Sequence, residues 1–170
     1  YFMKDIKNIL KKKILTLDGA MGSLIQTHNL IENDYRGKIL SDHPQDLKGN
    51  HDLLSLTCHD IIEDIHKLYL CAGADIIETN TFNSNAISQS DYNLEKYVYN
   101  LNLQAAKIAR KAADYFSNQT PNQPRFVAGI LGPTSRTGSM SPDVNDPSYR
   151  NVTFDGLVAT YSDQCNGLLD

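Results

Sequence analysis

The chain has 170 residues, 41% hydrophobic and 21% charged, with ten glycines and six prolines, a composition expected of one soluble globular domain. Sixteen Lys and Arg against twenty Asp and Glu give a formal charge of −4, without the clustered positive surplus that a nucleic-acid backbone requires. No stretch approaches the roughly 18 consecutive apolar residues of a membrane span, so neither nucleic acid nor membrane is an expected partner.

Residues 1–13 read as an N-terminal extension or helix, with Lys11, Lys12 and Lys13 as a solvated face. No apolar core of signal-peptide length follows them. Cys58, Cys71 and Cys165 are odd in number and form no CxxC pair, which fits a reducing cytoplasm better than a disulfide framework. Cys71 and Cys165 read as small core residues and Cys58 as an inert loop residue.

Short β-branched and aliphatic runs predict strands over 14–17, 76–79 and 126–131. Separations of three and four predict three helices between and after them. The first, over about 60–72, buries Ile61, Ile65, Leu68, Tyr69 and Ala72; Asp60 and Glu63 suggest a capping box and Gly73 a stop. The second carries Leu94, Val98, Leu101, Ala105, Ile108 and Ala112 behind an Asp91 cap, and residues 120–124 (TPNQP) break it from the third strand. The third carries Phe154, Leu157, Val158, Tyr161 and Leu168 behind a Thr153 cap.

Strands alternating with helices indicate an α/β fold of parallel βαβ units. Each strand ends in residues better suited to a site than a core: Asp18 and Gly19, then Glu78, Thr79 and Asn80, then Gly132, Pro133 and Thr134. Parallel strands bring these ends to one edge, where both open α/β sheets and (β/α)8 barrels bind ligands. Periodicity leaves the two architectures open.

In LDGAMGS, residues 17–23, Gly19 and Gly22 permit a tight turn and close approach of backbone amides to a ligand. The Asp18 carboxylate can hold an ammonium group while neighbouring N–H groups receive a carboxylate, a combination suited to a zwitterionic amino acid. A plain strand-to-loop turn accounts for the same residues. The spacing is neither GxGxxG nor GxxxxGK[ST], which removes the main support for nucleotide binding.

Glu78 and Asn80 alternate along one strand and share a face; a carboxylate there is costly unless paired or turned to a ligand. The loop over 132–152, with Arg136, Arg150, Asp143 and Asp146, is long enough to be a lid. Its individual arginines, and the segment 32–50, read as structural. The five histidines show no metal-ligand spacing, and no Ser-His-Asp or Cys-His pairing emerges. The sequons at Asn118 and Asn151 mean little without a secretory signal.

The longer motifs are more specific. LDGAMGS (17–23), NDYRG (33–37), LKGNHDLLSLT (47–57), AGADIIETNTFNSNAISQSDY (72–92), LGPTSRTGSMSPDVNDPSYRNVTFD (131–155) and the terminal GLLD closely resemble the N-terminal homocysteine-binding domain of cobalamin-dependent methionine synthases. The resemblance implies that residues 14–170 are the first three βα units of a (β/α)8 TIM barrel, a fold of roughly 250 residues. It implies an N-terminal fragment of a methyltransferase, inactive by itself and prone to associate through unpaired sheet edges.

In that family zinc activates homocysteine, whose thiolate takes the methyl group of methylcobalamin, and methyltetrahydrofolate, bound by a later domain, recharges the cobalamin. The family's zinc cysteines are expected beyond Asp170, so no metal ligand and no catalytic residue is assigned here. By position, the implied substrate contacts are Asp18, Gly19 and Ala20, with Glu78, Asn80, Gly132 and Thr134 from the same edge. The pattern departs at His51 and Cys71, read as peripheral. A betaine- or S-methylmethionine-dependent homocysteine methyltransferase is the related alternative, and a non-catalytic chain binding an amino acid or a partner is the reading from another class.

Overall fold

The computed structural model describes residues 6–170, so residues 1–5 of the expected extension lie outside the described residues; Ile6–Leu10 forms α1. Two strands, β1 (Ile76–Glu78) and β2 (Phe126–Ala128), pair in parallel, with Ile76 opposite Phe126, Ile77 opposite Val127 and Glu78 opposite Ala128.

The strand expected over 14–17 is reduced to a single parallel bridge between Leu17 and Ile76. The reason is local. The Asp75 carboxylate, held by Lys13 at 2.7 Å, accepts the Thr16 N–H at 3.1 Å, so a side chain occupies a donor that a ladder would use; Ile14 is left 91% exposed. β2 is likewise shorter than its apolar run. Thr79 N–H still reaches Ala128 O at 3.0 Å, but the Ile130 N–H donates to Thr79 Oγ1 at 3.0 Å instead of a carbonyl, and regular pairing ends.

The helices are α2 (Met21–Thr27), α3 (Glu32–Arg36), α4 (Leu54–Thr57), α5 (His59–Cys71), α6 (Ala86–Gln89), α7 (Val98–Gln119) and α8 (Phe154–Leu169). A tight 3₁₀ turn, His51–Leu53, leads into α4. Leu53, Leu54, Ile62, Ile65, Leu94 and Leu101 are fully buried in one cluster, each contributing about 2 kcal/mol of hydrophobic burial. No helix among the described residues is long and apolar enough to cross a membrane.

α5 departs from its sequence pattern in two ways. Its buried residues are Ile62, Ile65, His66 and Leu70, so the stripe is rotated from the one expected, and Leu68 is 60% exposed. Cys58 takes the N-cap position with no side-chain cap, and the Asp60–Glu63 capping box does not form, because Glu63 turns to Lys67 and Lys111 at 2.8 and 2.7 Å. Gly73 does follow the helix, at φ +106°, where only glycine is unstrained. Cys71 is exposed rather than a core residue, and Cys58 and Cys165 are half-buried.

α7 buries the expected Val98, Leu101, Ala105, Ile108 and Ala112. Asp91 does not cap it, since the short turns Ser90–Tyr92 and Glu95–Tyr97 intervene. In α8 the buried residues are Thr160, Gln164 and Gly167, while the expected stripe residues Phe154 and Val158 are 79% and 48% exposed. Close approach to α7 selects the small face: a Cβ on Gly167 would lie 2.5 Å from Tyr99 O.

Thr153 is the α8 cap, its Oγ1 accepting the Gly156 N–H at 3.0 Å. Thr153→Ala is expected to lower stability by about 1 kcal/mol, read as a fall of roughly 2–4 °C in Tm. An unchanged melting curve would show that the cap contributes nothing.

Candidate ligand site at the strand ends

Parallel pairing brings the loops after Leu17 and β1 to one edge, beside the exit from β2. A cavity of about 360 Å³ opens there, walled by residues 18–22, residues 78–82 and Ile130. Its volume lies at the low end of small-molecule sites, suited to an amino acid and too small for a corrin macrocycle.

Asp18 is fixed at the mouth of this cavity by two backbone contacts. Its N–H donates to Ile76 O at 2.9 Å, and its Oδ2 accepts the Glu78 N–H at 3.0 Å. The other oxygen, Oδ1, is buried with no hydrogen-bond partner, an unsatisfied acceptor on a residue that lines the cavity. Burial, helped by the nearby Glu78 carboxylate and opposed by the Glu78 N–H, pushes the Asp18 carboxyl up to about 6. Gly19 passes close to Tyr69, whose hydroxyl would stand 3.3 Å from an added Cβ. Ala20 precedes α2, so the chain turns into that helix beside the cavity.

Glu78 and Asn80 both reach this cavity, as their alternation along one strand suggests. Asn80 is 6% exposed, and its Nδ2 donates to His51 O at 2.9 Å and to Ser55 Oγ at 3.3 Å. Its amide nitrogen therefore belongs to a polar layer behind the wall. Gly132 and Thr134 stand elsewhere. Gly132 packs on the loop after β1, where an added Cβ would fall 2.0 Å from Phe82 O. Thr134 borders a neighbouring cavity of about 410 Å³ with Asn50, Tyr92 and Pro133, and its hydroxyl donates to Arg136 O. Phe82 borders both cavities.

Several residues of the wall and its support carry no chemical signature in the sequence. Met21 and Phe82 line the cavity as apolar side chains that no spacing or motif chemistry singles out. His51 is not peripheral: its carbonyl anchors Asn80, its Nδ1 meets the Tyr35 hydroxyl at 3.0 Å, and its ring lies 3.8 Å from where a Gly22 Cβ would stand. The signal for Asp52 was a carboxylate inside the apolar run HDLLSL. The loop arginine Arg150 is spent on the carbonyls of Gly138, Pro147 and Tyr149, a structural use.

Among the described residues no group of three or more His, Cys, Asp or Glu side chains is placed to hold a metal ion. Cys58 donates its thiol to Asp34 O, outside the cavity. The residues described here thus do not fit a zinc site, and the cavity does not fit a corrin.

A loop-built cavity at the carboxyl ends of parallel strands marks an α/β protein, the edge at which such folds place their sites. The model of the homocysteine S-methyltransferase family matches residues 15–170, and the chain belongs to that family. Its structure resembles the homocysteine methyltransferase MmuM from Escherichia coli. With the oxidized form the TM-score is 0.69 at 22% identity, over 97% of this chain and 52% of that one. With the metallated form it is 0.66 at 21%, over 97% and 53%. At these identities the likeness is one of fold, and the chain spans about half the length of the solved structures it matches.

Proposed function

We propose that the strand-end cavity binds homocysteine and that the chain supplies this site to a methyl transfer onto the homocysteine sulfur. The observation that carries the reading is the unpartnered Asp18 Oδ1 on a residue that lines the cavity, an acceptor that the substrate ammonium group would satisfy. Gly19 and Ala20 border the amino acid with their backbone, Glu78 and Asn80 line the same cavity beside Asp18, and Gly132 shapes it through Phe82, with Thr134 beyond. Family membership supports this substrate. In the transfer the thiol gives up its proton, the sulfur lone pair forms the new S–C bond, and the electron pair of the broken methyl bond stays with the donor.

The likeness over about half of MmuM supports reading the parallel segments as one arc of a (β/α)8 barrel. For the donor, the motifs at 47–57 and 131–155 favour a cobalamin-dependent methionine synthase, with methyltetrahydrofolate recharging the cobalamin. The fold likeness to a homocysteine methyltransferase equally supports a betaine- or S-methylmethionine-dependent enzyme. Supplying each donor in turn to the protein purified from its source cells and measuring methionine formation separates these readings.

Calorimetric titration of the full chain tests the site itself. Homocysteine is expected to bind, and Asp18→Asn to weaken binding at least tenfold, as loss of a charge-assisted hydrogen bond of about 1.5–3 kcal/mol requires. Because Asp18 is neutral below its pKa of about 6, wild-type affinity is expected to fall as the pH drops through that value. Equal binding by wild type and variant at all pH values would remove Asp18 from the site.

A further inference from the structure

The loop leaving β1 is tethered from behind by residues 50–55. Asn80 is held by His51 O and Ser55 Oγ. Asn50 and Gln89 exchange side-chain hydrogen bonds at 2.8 and 3.3 Å, and Gln89 Nε2 continues to Asn83 O at 3.0 Å. At the centre is Asp52, on the His51–Leu53 turn and 4% exposed. Its Oδ2 accepts both the Asn83 N–H and the Ser84 hydroxyl. On the far side, Asn102 Nδ2 of α7 donates to Ser84 O at 2.8 Å.

Among the described residues no cation pairs with Asp52. The influences on its carboxyl are burial, which pushes it up to about 6, and the opposing hydrogen bonds from Asn83 and Ser84. A buried carboxylate without a counter-ion is unfavourable by itself, so packing does not explain this residue. What it does is fix two consecutive positions, 83 and 84, immediately after Asn80, Thr81 and Phe82, which wall the cavity.

We propose that Asp52 is a positioning residue for the strand-end site, its Oδ2 pinning residues 83 and 84 so that Asn80 and Phe82 keep the cavity's shape. This rests on the homocysteine reading only for the identity of the ligand. Asp52 does not itself line the cavity, so its loss acts through the wall residues and weakens ligand binding. An amide oxygen accepts the same two hydrogen bonds, so Asp52→Asn is the conservative rescue.

The test uses the full chain and two readouts. The first is hydrogen exchange without ligand: Asp52→Ala is expected to speed exchange of the Asn83 and Ser84 amides at least tenfold relative to Ile77, and Asp52→Asn to restore protection to within about threefold. The second is calorimetric titration with homocysteine: Asp52→Ala is expected to raise Kd about tenfold, and Asp52→Asn to reverse the rise. Ser84→Ala removes one of the two contacts and leaves the carboxylate in place; it is expected to speed exchange of the same amides by a smaller factor, and it decides the first readout if Asp52→Ala does not fold. Unchanged exchange, an unchanged Kd, or an Asn variant that behaves like Ala would each overturn the proposal. If wild type fails to bind homocysteine, the ligand assignment falls, while exchange still decides what Asp52 does.

Discussion

Gly132→Ala is expected to destroy the homocysteine site and to destabilise the chain by about 3 kcal/mol, the upper part of the range for overpacking. The added Cβ would stand 2.0 Å from Phe82 O and 2.9 Å from its carbonyl carbon. Both are backbone atoms, so no rotamer change relieves the clash; the loop after β2 or the loop after β1 must move. Either movement carries Phe82 and Ile130, which wall the cavity. Denaturant melts and homocysteine titration of the same variant check the two effects together. Gly138→Ala is the control, since the nearest atom to its added Cβ is Val152 O at 4.0 Å, and it is expected to be neutral in both assays. A Gly132→Ala protein that binds and melts like wild type would show that the two loops are not packed in this way.

Acidification is expected to destabilise the fold through His66 by about 3 kcal/mol between pH 6.5 and 4. His66 is fully buried on α5, with neither ring nitrogen hydrogen-bonded. Burial lowers its pKa from the ordinary 6.5 to about 4, against a small opposing pull from Glu63. The folded state therefore keeps the ring neutral while the unfolded chain takes up a proton below pH 6.5, so stability is lost as pH falls through that window and the loss is complete below about 4. Asp52 and Asp18 act in the opposite sense: burial raises both to about 6, so the stability they contribute is present below 3.8 and is lost as the pH rises through 6. Comparison with His66→Leu isolates the histidine. The variant should gain about 3 kcal/mol relative to wild type on going from pH 7 to pH 4, and the wild-type His66 ring protons should titrate near 4 by NMR. A stability difference that does not vary with pH would mean that the ring is hydrated or paired in solution.

The periodic elements were legible in the sequence where one physical influence dominated. α7 buries the residues that its spacing of three and four selects, because a long helix against a large core has one face to hide. Thr153 and Gly73 act as read, since an N-cap hydroxyl and a positive-φ glycine are decided within a few residues. Glu78 and Asn80 share a wall because strand alternation is local geometry.

Contacts distant along the chain decided the rest. The 14–17 run pairs through a single bridge because Asp75, about sixty residues away, captures the Thr16 N–H. Asp60 and Glu63 spell a capping box, yet Glu63 is drawn to Lys111 across 48 residues. Of the apolar stripe of α8, Phe154 and Val158 face outward while Leu157, Tyr161 and Leu168 are half-buried, and the glycine at 167 permits a closer approach to α7 than any larger side chain would. Sequence by itself determined the α/β class, the parallel order and the chemistry available at the strand ends, because these follow from period, capping and residue type. Only the tertiary structure decided that Asp18 keeps one buried oxygen unpartnered, that Thr134 borders a different cavity, and that Asp52 bonds residues 83 and 84, because burial and hydrogen-bond partners depend on which distant segments the fold packs together.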